Sequence, residues 1–301
     1  MNENEPSFRL GEEVQSAAFR VHPYHHEVIG DMADLHSMTR EDLFGHYQSY
    51  YAPNNAIAVA VGDFDAREML ARIETLFGKH KPVTLPKPLT RPEPEQRGER
   101  RVQLTGEGET AYIQIAYHAP SANDPDFYPM AVLDSILAGA SSFNMFGGGG
   151  TSNRSSRLYR AIVQTGLAAN IGGGLSPTVD PFLYTLYATV RAGREPAAVE
   201  RAIDVEIDRV RNEPVSQAEL EKAIKQAKAM FAYSAESVTN QGFWLGFTEI
   251  LGDYRWFDNY LPRLSAVTVA DIQRVAQRYL TSGNRVVGVY VPAAPTPEKE
   301  R

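Results

Sequence analysis

The sequence contains no cysteine among its 301 residues. This excludes disulfide bonds and thiol catalysis, and it leaves the redox compartment open because a chain without cysteine is stable in either. The net charge is −7 and no basic run occurs, so we expect no nucleic-acid partner. No apolar run reaches about 18 residues and the first residues lack the pattern of a signal peptide, so we expect no membrane association.

The histidine pattern of zinc peptidases is also missing. Those enzymes carry H-E-x-x-H or H-x-x-E-H on a helix, so that both imidazoles bind zinc and the glutamate reaches the metal-bound water. Neither string occurs here. His22 and His26 are four residues apart in HPYHHEVIG (22–30), but Pro23 disfavours a helix between them. We therefore predict an ordered loop at 22–30, and neither a metal ligand nor a catalytic residue in the chain.

The composition is typical of a globular protein large enough for two cores, with 43% hydrophobic and 22% charged residues. Periodicity predicts helices at 11–21, from Thr39, and at 63–77, 126–138, 153–163, 196–211, 216–235, 237–252 and 268–280. It predicts strands at 56–62, 101–105, 110–118, 167–173, 182–190 and 285–291. Residues 78–97 contain five prolines, which indicates an extended linker between domains at 1–77 and 98–301.

An internal repeat supports this division. Residues 38–62 align without a gap on 267–291, and both copies predict a helix, a tight polar turn and a buried strand. The identical pairs include Thr39 and Thr268, Asp42 and Asp271, Tyr50 and Tyr279, and Asn55 and Asn284. Many more residues precede the second copy within its domain than precede the first copy. If both copies end domains of the same type, the first domain is incomplete. An incomplete sheet has an exposed edge, and we expect residues 1–77 to self-associate or repack.

The glycine-rich loop at 139–152 leaves two interpretations open. Four consecutive glycines before a helix can present N–H groups to an anion, which allows nucleotide binding. No Lys-Ser/Thr pair follows the last glycine and no strand leads directly in, so a linking loop or a substrate-facing lid is favoured. Ser155 and Ser156 have no recognisable histidine and aspartate partners, so a hydrolase triad is not supported.

Several stretches in this order carry a resemblance to a known family. They are HPYHHEVIGDMADLHSMTREDLFGHYQSYYAPNNAIAVAVGDF (22–64), GGGGTSNRSSRLYRAIVQTGLAANI (147–171), DPFLYTLYATV (180–190) and VSQAELEKAIKQA (215–227). Together they resemble the pitrilysin/insulinase-type zinc metallopeptidase family, in particular its bacterial two-domain members. The resemblance implies an α+β fold of duplicated domains, each a mostly antiparallel sheet covered by helices, around a closed chamber for peptide or unfolded polypeptide.

The resemblance also implies where the zinc binds. Such proteases hold zinc in the first domain, through an inverted H-x-x-E-H helix and a glutamate further downstream. Both elements are expected upstream of the matching residues, so zinc belongs to a full-length parent and not to this chain. The resemblance leaves the compartment open between periplasm and cytoplasm.

Some members of the family hold the substrate backbone with an arginine and a tyrosine from the second domain or from a partner chain. Tyr184, Tyr187 and Arg191 lie in the corresponding neighbourhood, although their spacing does not settle the pair. Arg157 and Tyr159, at the start of the helix after the glycine loop, are further substrate-contact candidates.

Two functional hypotheses follow from the resemblance. In the first, the chain is the C-terminal part of a zinc endopeptidase, it contributes the second domain and part of the chamber, and it is inactive alone. In the second, it is a natural non-catalytic subunit that binds peptide or scaffolds a separate catalytic chain. Either allows a homodimer or a heterodimer with a related peptidase subunit.

Overall fold

A computed structural model describes residues 5–140 and 154–293. All but the first two residues of the predicted glycine-rich loop lie outside these ranges. The helices are α1 (Pro6–Ala18), α2 (Met32–Ser37), α3 (Arg40–Tyr50), α4 (Ala66–Phe77), α5 (Phe127–Leu137), α6 (Pro196–Asn212), α7 (Gln217–Ser234), α8 (Val238–Leu251), α9 (Arg255–Ser265) and α10 (Val269–Tyr279). The strands are β1 (Arg100–Gly106), β2 (Tyr112–Ala119), β3 (Ala168–Leu175), β4 (Phe182–Val190) and β5 (Arg285–Pro292).

The five strands form one mixed sheet in the order β1-β5-β2-β4-β3. Only β1 and β5 run parallel, and the other neighbours are antiparallel. Apolar side chains on one face form the main core with α5, α6, α7, α9 and α10, because successive strand residues point to opposite faces. This arrangement confirms the predicted α+β class with a mostly antiparallel sheet covered by helices.

Helix α1 packs on the opposite face of the same sheet. Its stripe of Leu10, Val14 and Ala18 is buried against Val286 and Tyr290 of β5, within a second, smaller core. The predicted helix at 11–21 therefore begins earlier, at Pro6, and ends at Ala18. The helix lies close to the strand because position 288 is a glycine, where an added Cβ would lie 2.3 Å from a Val14 methyl carbon.

The segment between the predicted domains is attached to the end of α1. Glu93 accepts hydrogen bonds from the backbone N–H groups of Arg20, Val21 and His22, at 2.7 to 3.1 Å. Partial burial acts to raise the pKa of Glu93, but these donors outweigh it and hold that pKa below its usual value. Arg100 donates to the carbonyl oxygens of the last residues of α1. The boundaries at 77 and 98 stay predictions.

The two copies of the repeat share their local geometry. Thr39 and Asp42 form a capping box at the start of α3, with the hydroxyl donating to the carboxylate at 2.6 Å. Thr268 and Asp271 form a capping box with the same distance at the start of α10. In the turn after each helix an asparagine side chain donates to a tyrosine carbonyl, at 2.9 Å from Asn55 and 2.8 Å from Asn284.

The copies differ at the strand. The second copy ends in β5, whereas the prediction of a buried strand at 56–62 is wrong for the first copy: these residues pair with no strand in the described ranges. Ile57 and Val59 are 49% and 40% exposed. A strand needs hydrogen-bonded neighbours, and the described residues place none beside this segment. It lies instead against α8, where Val59 and Val61 approach Gly246 and Gly242.

This contact relates the two halves of the molecule to each other. Helix α1 precedes α2, α3 and the 56–62 segment, as α8 precedes α9, α10 and β5. Helix α1 covers β5, and α8 touches the 56–62 segment. Helix α1 of the first half therefore packs on β5 of the second half, and α8 of the second half packs on residues 56–62 of the first.

Three elements differ further from expectation. Helices α2 and α9 have no counterpart in the sequence prediction. The predicted helix at 153–163 is helical only from Arg157, and Tyr159–Val163 form a wider π-helical turn.

Candidate functional site

The two candidate tyrosines of β4 lie on opposite faces of the sheet. Tyr184 is completely buried in the main core. Burial raises the pKa of Tyr184 well above its ordinary value, and the nearby Asp134 carboxylate raises it further. Tyr187 is 52% exposed on the face away from the helical layer. Of the two, only Tyr187 can touch a ligand in this structure.

Tyr187 lies between polar and glycine neighbours. The strand register pairs it with Gln114 of β2 and with Gly172 of β3. A Cβ on Gly172 would lie 2.3 Å from the Tyr187 ring, so the glycine lets the ring lie flat on the sheet. Gln114 was not predicted as a site residue, because its place beside Tyr187 follows from strand pairing and not from spacing along the chain.

Arg191 follows the end of β4 and is exposed. Its backbone N–H donates to the carbonyl of Leu167 at 3.1 Å, which continues the pairing by one residue. Four residues along a strand span about 13 Å and return to the same face. Tyr187 and Arg191 therefore share a face at a separation that a short extended peptide can bridge.

Arg157 lies within the helical layer on the other side of the sheet. Its guanidinium makes two hydrogen bonds to the Glu219 carboxylate of α7, at 2.8 and 2.7 Å. This pairing lowers the pKa of Glu219 and raises that of Arg157. The pair lines a cavity of about 1030 Å³ between α6 and α7, in which Glu206 and Arg209 form a second ion pair. Arg157 thus anchors its segment to α7.

Tyr159 is half-buried in the π-helical turn, where its backbone N–H faces the hydroxyl of Ser156 at 3.4 Å. The candidates therefore separate into two groups. Tyr187 and Arg191 lie on the face that carries α1, in the part along β4 that this helix leaves exposed and that we call the open face. Arg157 and Tyr159 belong to the segment packed on the other side of the sheet.

The histidine-rich segment at 22–30 is an ordered turn, as predicted. His22 is 8% exposed, its Nδ1 accepts from the backbone N–H of Tyr24 at 3.1 Å, and its Nε2 lies 3.4 Å from an Asp180 oxygen. Tyr24 packs edge-on against Phe182 at the start of β4. Both ring nitrogens of His22 thus have partners, and the turn attaches to the loop before β4.

No group of three histidine, cysteine or carboxylate residues in the described ranges could hold a metal ion. The described part of the chain therefore does not fit a zinc site. Within the same ranges, no helix is long and apolar enough to cross a membrane.

The family is shown by comparison with known proteins. The family model described as the peptidase M16 inactive domain matches residues 37–227. The chain therefore belongs to the peptidase M16 inactive-domain family, which confirms the resemblance seen in the sequence.

Relatives with curated names include zinc proteases and processing peptidases. An uncharacterized zinc protease of Mycobacterium leprae is 25% identical over 100% of this chain and 66% of its own length. A mitochondrial-processing peptidase subunit beta of Lentinula edodes is 25% identical over 89% of this chain and 57% of its own length. The chain thus spans about three fifths to two thirds of these relatives.

The fold is shared with solved structures. The crystal structure of a protease from Helicobacter pylori superposes with a TM-score of 0.87 at 22% identity, covering 97% of this chain and 68% of that one. At 22% identity, this superposition shows that the two chains share a fold.

Proposed function

We propose that this chain is the non-catalytic portion of a zinc-dependent endopeptidase that hydrolyses peptide bonds in short or unfolded polypeptides. It contributes the second domain and a wall of the substrate chamber, and a catalytic portion elsewhere supplies the zinc. The observation that carries the proposal is the inactive-domain match over 37–227, in a chain whose relatives are named zinc proteases.

The open face of the sheet supports a role in holding substrate. Tyr187 offers an exposed aromatic ring, Gln114 an amide beside it, and Arg191 a cation at the end of the same strand. An aromatic ring, an amide and a guanidinium can bind side chains and carbonyl oxygens of an extended peptide without selecting one sequence. We expect substrate to lie across these three residues.

Activity measurements test the division of labour. Purified chain is expected to bind no stoichiometric zinc by metal analysis and to leave a fluorogenic peptide intact. Zinc at one equivalent together with chelator-sensitive cleavage would refute the proposal.

Binding measurements test the open face. Tyr187→Ala is expected to weaken binding of a fluorescein-labelled, unfolded casein fragment by about tenfold in fluorescence anisotropy, the loss of one buried aromatic contact. Tyr233→Ala is the matched control, because Tyr233 is 71% exposed at the end of α7 and lies outside this face. Equal effects of the two substitutions would exclude the open face as the binding surface.

A second candidate is a natural non-catalytic subunit that binds peptide or scaffolds a separate catalytic chain. The likeness to a protein named as a subunit, the processing peptidase of Lentinula edodes, favours it. Under this candidate the partner is a related peptidase subunit in a heterodimer. Mixing this chain with a separately expressed catalytic polypeptide is expected to restore peptide cleavage. A chain that forms only a homodimer and stays inactive in every such mixture would contradict this second candidate.

A further inference from the structure

Two charged side chains from later in the chain hold the end of α1 against the sheet. Arg100 of β1 donates to the last two carbonyl oxygens of the helix, at 2.6 and 2.8 Å. Glu93 accepts hydrogen bonds from the backbone N–H groups of residues 20–22. The carbonyl and the amide side of this short segment are therefore both fixed. We call residues 17–22, together with Arg100 and Glu93, the α1 latch.

His118 of β2 lies beneath the α1 latch. Phe19, which is 4% exposed, packs edge-on against the His118 ring, with ring centroids 5.2 Å apart. The Nε2 atom of His118 is buried and has no hydrogen-bond partner within residues 5–140 and 154–293. Both ring nitrogens of an imidazolium are donors, so a proton on His118 would leave a buried donor unpaired. The closed latch thus covers a group that is stable there only in its neutral form.

Two charged side chains of the described residues act on His118. Arg100 opposes a positive charge on the ring, whereas Glu93 and the last carbonyl of α1 favour one. The neighbours from other elements carry no charge: Leu183 of β4 lies opposite in the register, and Asn284 before β5 donates to the His118 carbonyl at 3.0 Å. Burial has the largest effect and lowers the pKa of His118.

His22 is a second titratable group at this junction. Its Nε2 atom lies 3.4 Å from a carboxylate oxygen of Asp180. A positive charge on His22 would gain an ion pair, so protonation there would strengthen a contact that already exists. Of these two histidines, only His118 loses a favourable environment when it takes up a proton.

We propose that the α1 latch is an acid-sensitive switch, in which a proton on His118 releases residues 17–22 and the end of the predicted linker while the sheet stays folded. The released ring reaches solvent, where water hydrates its charge. The released segment leads into the turn at 22–30, which contacts Asp180 and Phe182 at the start of β4. Acid thereby loosens the border of the open face. This switch goes beyond the proposed function, and it operates whether or not the chain binds peptide.

Proton linkage gives the direction and the size of the effect. The pKa of His118 is lowered in the closed latch, and on release it returns to about 6.5. Neutral His118 therefore keeps the latch closed above pH 6.5. Each pH unit below that value favours release by up to about tenfold, until the lowered pKa of the closed form is reached.

Hydrogen exchange at the N–H groups of residues 20–22 measures release. Protection factors are used, because they correct for the pH dependence of the exchange chemistry. Between pH 7.5 and 5.5 the protection of these amides should fall by about tenfold in the full chain. His118→Gln should abolish this fall because its side chain stays neutral, and the control His36→Gln, on the exposed helix α2, should keep it. Unchanged protection in the parent chain would overturn the proposal, and so would a fall that persists in His118→Gln.

Urea separates release of the latch from unfolding of the whole chain. Release exposes little surface, so protection at residues 20–22 should change little between 0 and about 1 M urea, whereas amides of β2 and β5 should lose protection. Equal urea dependence of the two sets would overturn the proposal, because the latch would then open only on global unfolding.

A substitution of Glu93 tests the other side of the latch. Glu93→Gln removes the charge that accepts the three backbone N–H groups, and it leaves His118 in place. Protection at residues 20–22 should fall by about tenfold already at pH 7.5, and the further fall in acid should remain. Protection equal to that of the parent at pH 7.5 would contradict the role of Glu93 and overturn the latch.

Discussion

Replacing Gly288 by alanine puts a methyl group where α1 crosses β5. The new Cβ would lie 2.3 Å from a Val14 methyl carbon and 3.0 Å from a Leu10 methyl carbon, well inside contact distance. Since Val14 is completely buried in an α-helix, it has little freedom to move away. Overpacking of this kind costs about 1–3 kcal/mol. We therefore expect Gly288→Ala to lower the free energy of unfolding by that amount in urea titrations.

The companion substitution makes the test specific. Val14→Ala alone removes two buried methyl groups and costs about 1.6 kcal/mol from transfer, plus a cavity contribution. In the double variant the new methyl group occupies the space that Val14 vacates, so the two costs should not add. We expect a favourable coupling energy of about 1–3 kcal/mol in the double-mutant cycle.

A control and a refuting result complete the experiment. Gly174→Ala adds a methyl group on β3 of the same sheet, where no atom of the described chain beyond the two adjoining residues lies within 4 Å of it. This substitution should change stability by less than about 0.5 kcal/mol. Additive effects of Gly288→Ala and Val14→Ala would show that α1 does not pack on β5 in solution. If Gly174→Ala were as unstable as Gly288→Ala, replacing any glycine of this sheet by alanine would be destabilising, and the contact with α1 would not be the cause.

Three further outcomes follow from the charged groups and the open face. Burial, and to a lesser extent Arg100, lowers the pKa of His118 in the folded protein. The fold therefore favours neutral His118, and the stability that this contributes is lost as the pH falls below about 6.5. His118→Gln should make the Tm less dependent on pH in that acidic range. Glu219→Gln should cost about 1–3 kcal/mol, measured in urea, because the Arg157 guanidinium loses its counter-ion and one of its two acceptor oxygens. Arg191→Ala should weaken binding of the unfolded casein fragment about as much as Tyr187→Ala, and a change in Tm instead would assign Arg191 a structural role.

Local sequence patterns predict the five strands of the sheet. Alternation in 182–190 gives β4, and the Thr-x-x-Asp spacing gives both capping boxes. Alternation does not tell which face of β4 meets the core. Leu183 is buried under α1 and Tyr184 under the helical layer, so both faces are apolar at that end of the strand.

Two misses have identifiable physical causes. Helix α9 contains Pro262, which indicates a break, yet Trp256, Tyr260 and Leu264 at a spacing of four bury one stripe and stabilise the helix. The 56–62 segment has the composition of a buried strand, but strand formation depends on neighbours that are distant in sequence. For the same reason, no local pattern places Tyr187 beside Gln114.

The packing of α1 on β5 has a consequence during synthesis. Arg285 lies 267 positions after Ala18, so the helix emerges long before the strand that it covers. At about 5–20 residues per second, the ribosome needs roughly 13–50 s to make the intervening chain. During that time β5 has not yet been made, so the apolar stripe of Leu10 and Val14 lacks its native cover. Final docking of the first helix is thus a late folding event, which waits for the last strand of the sheet.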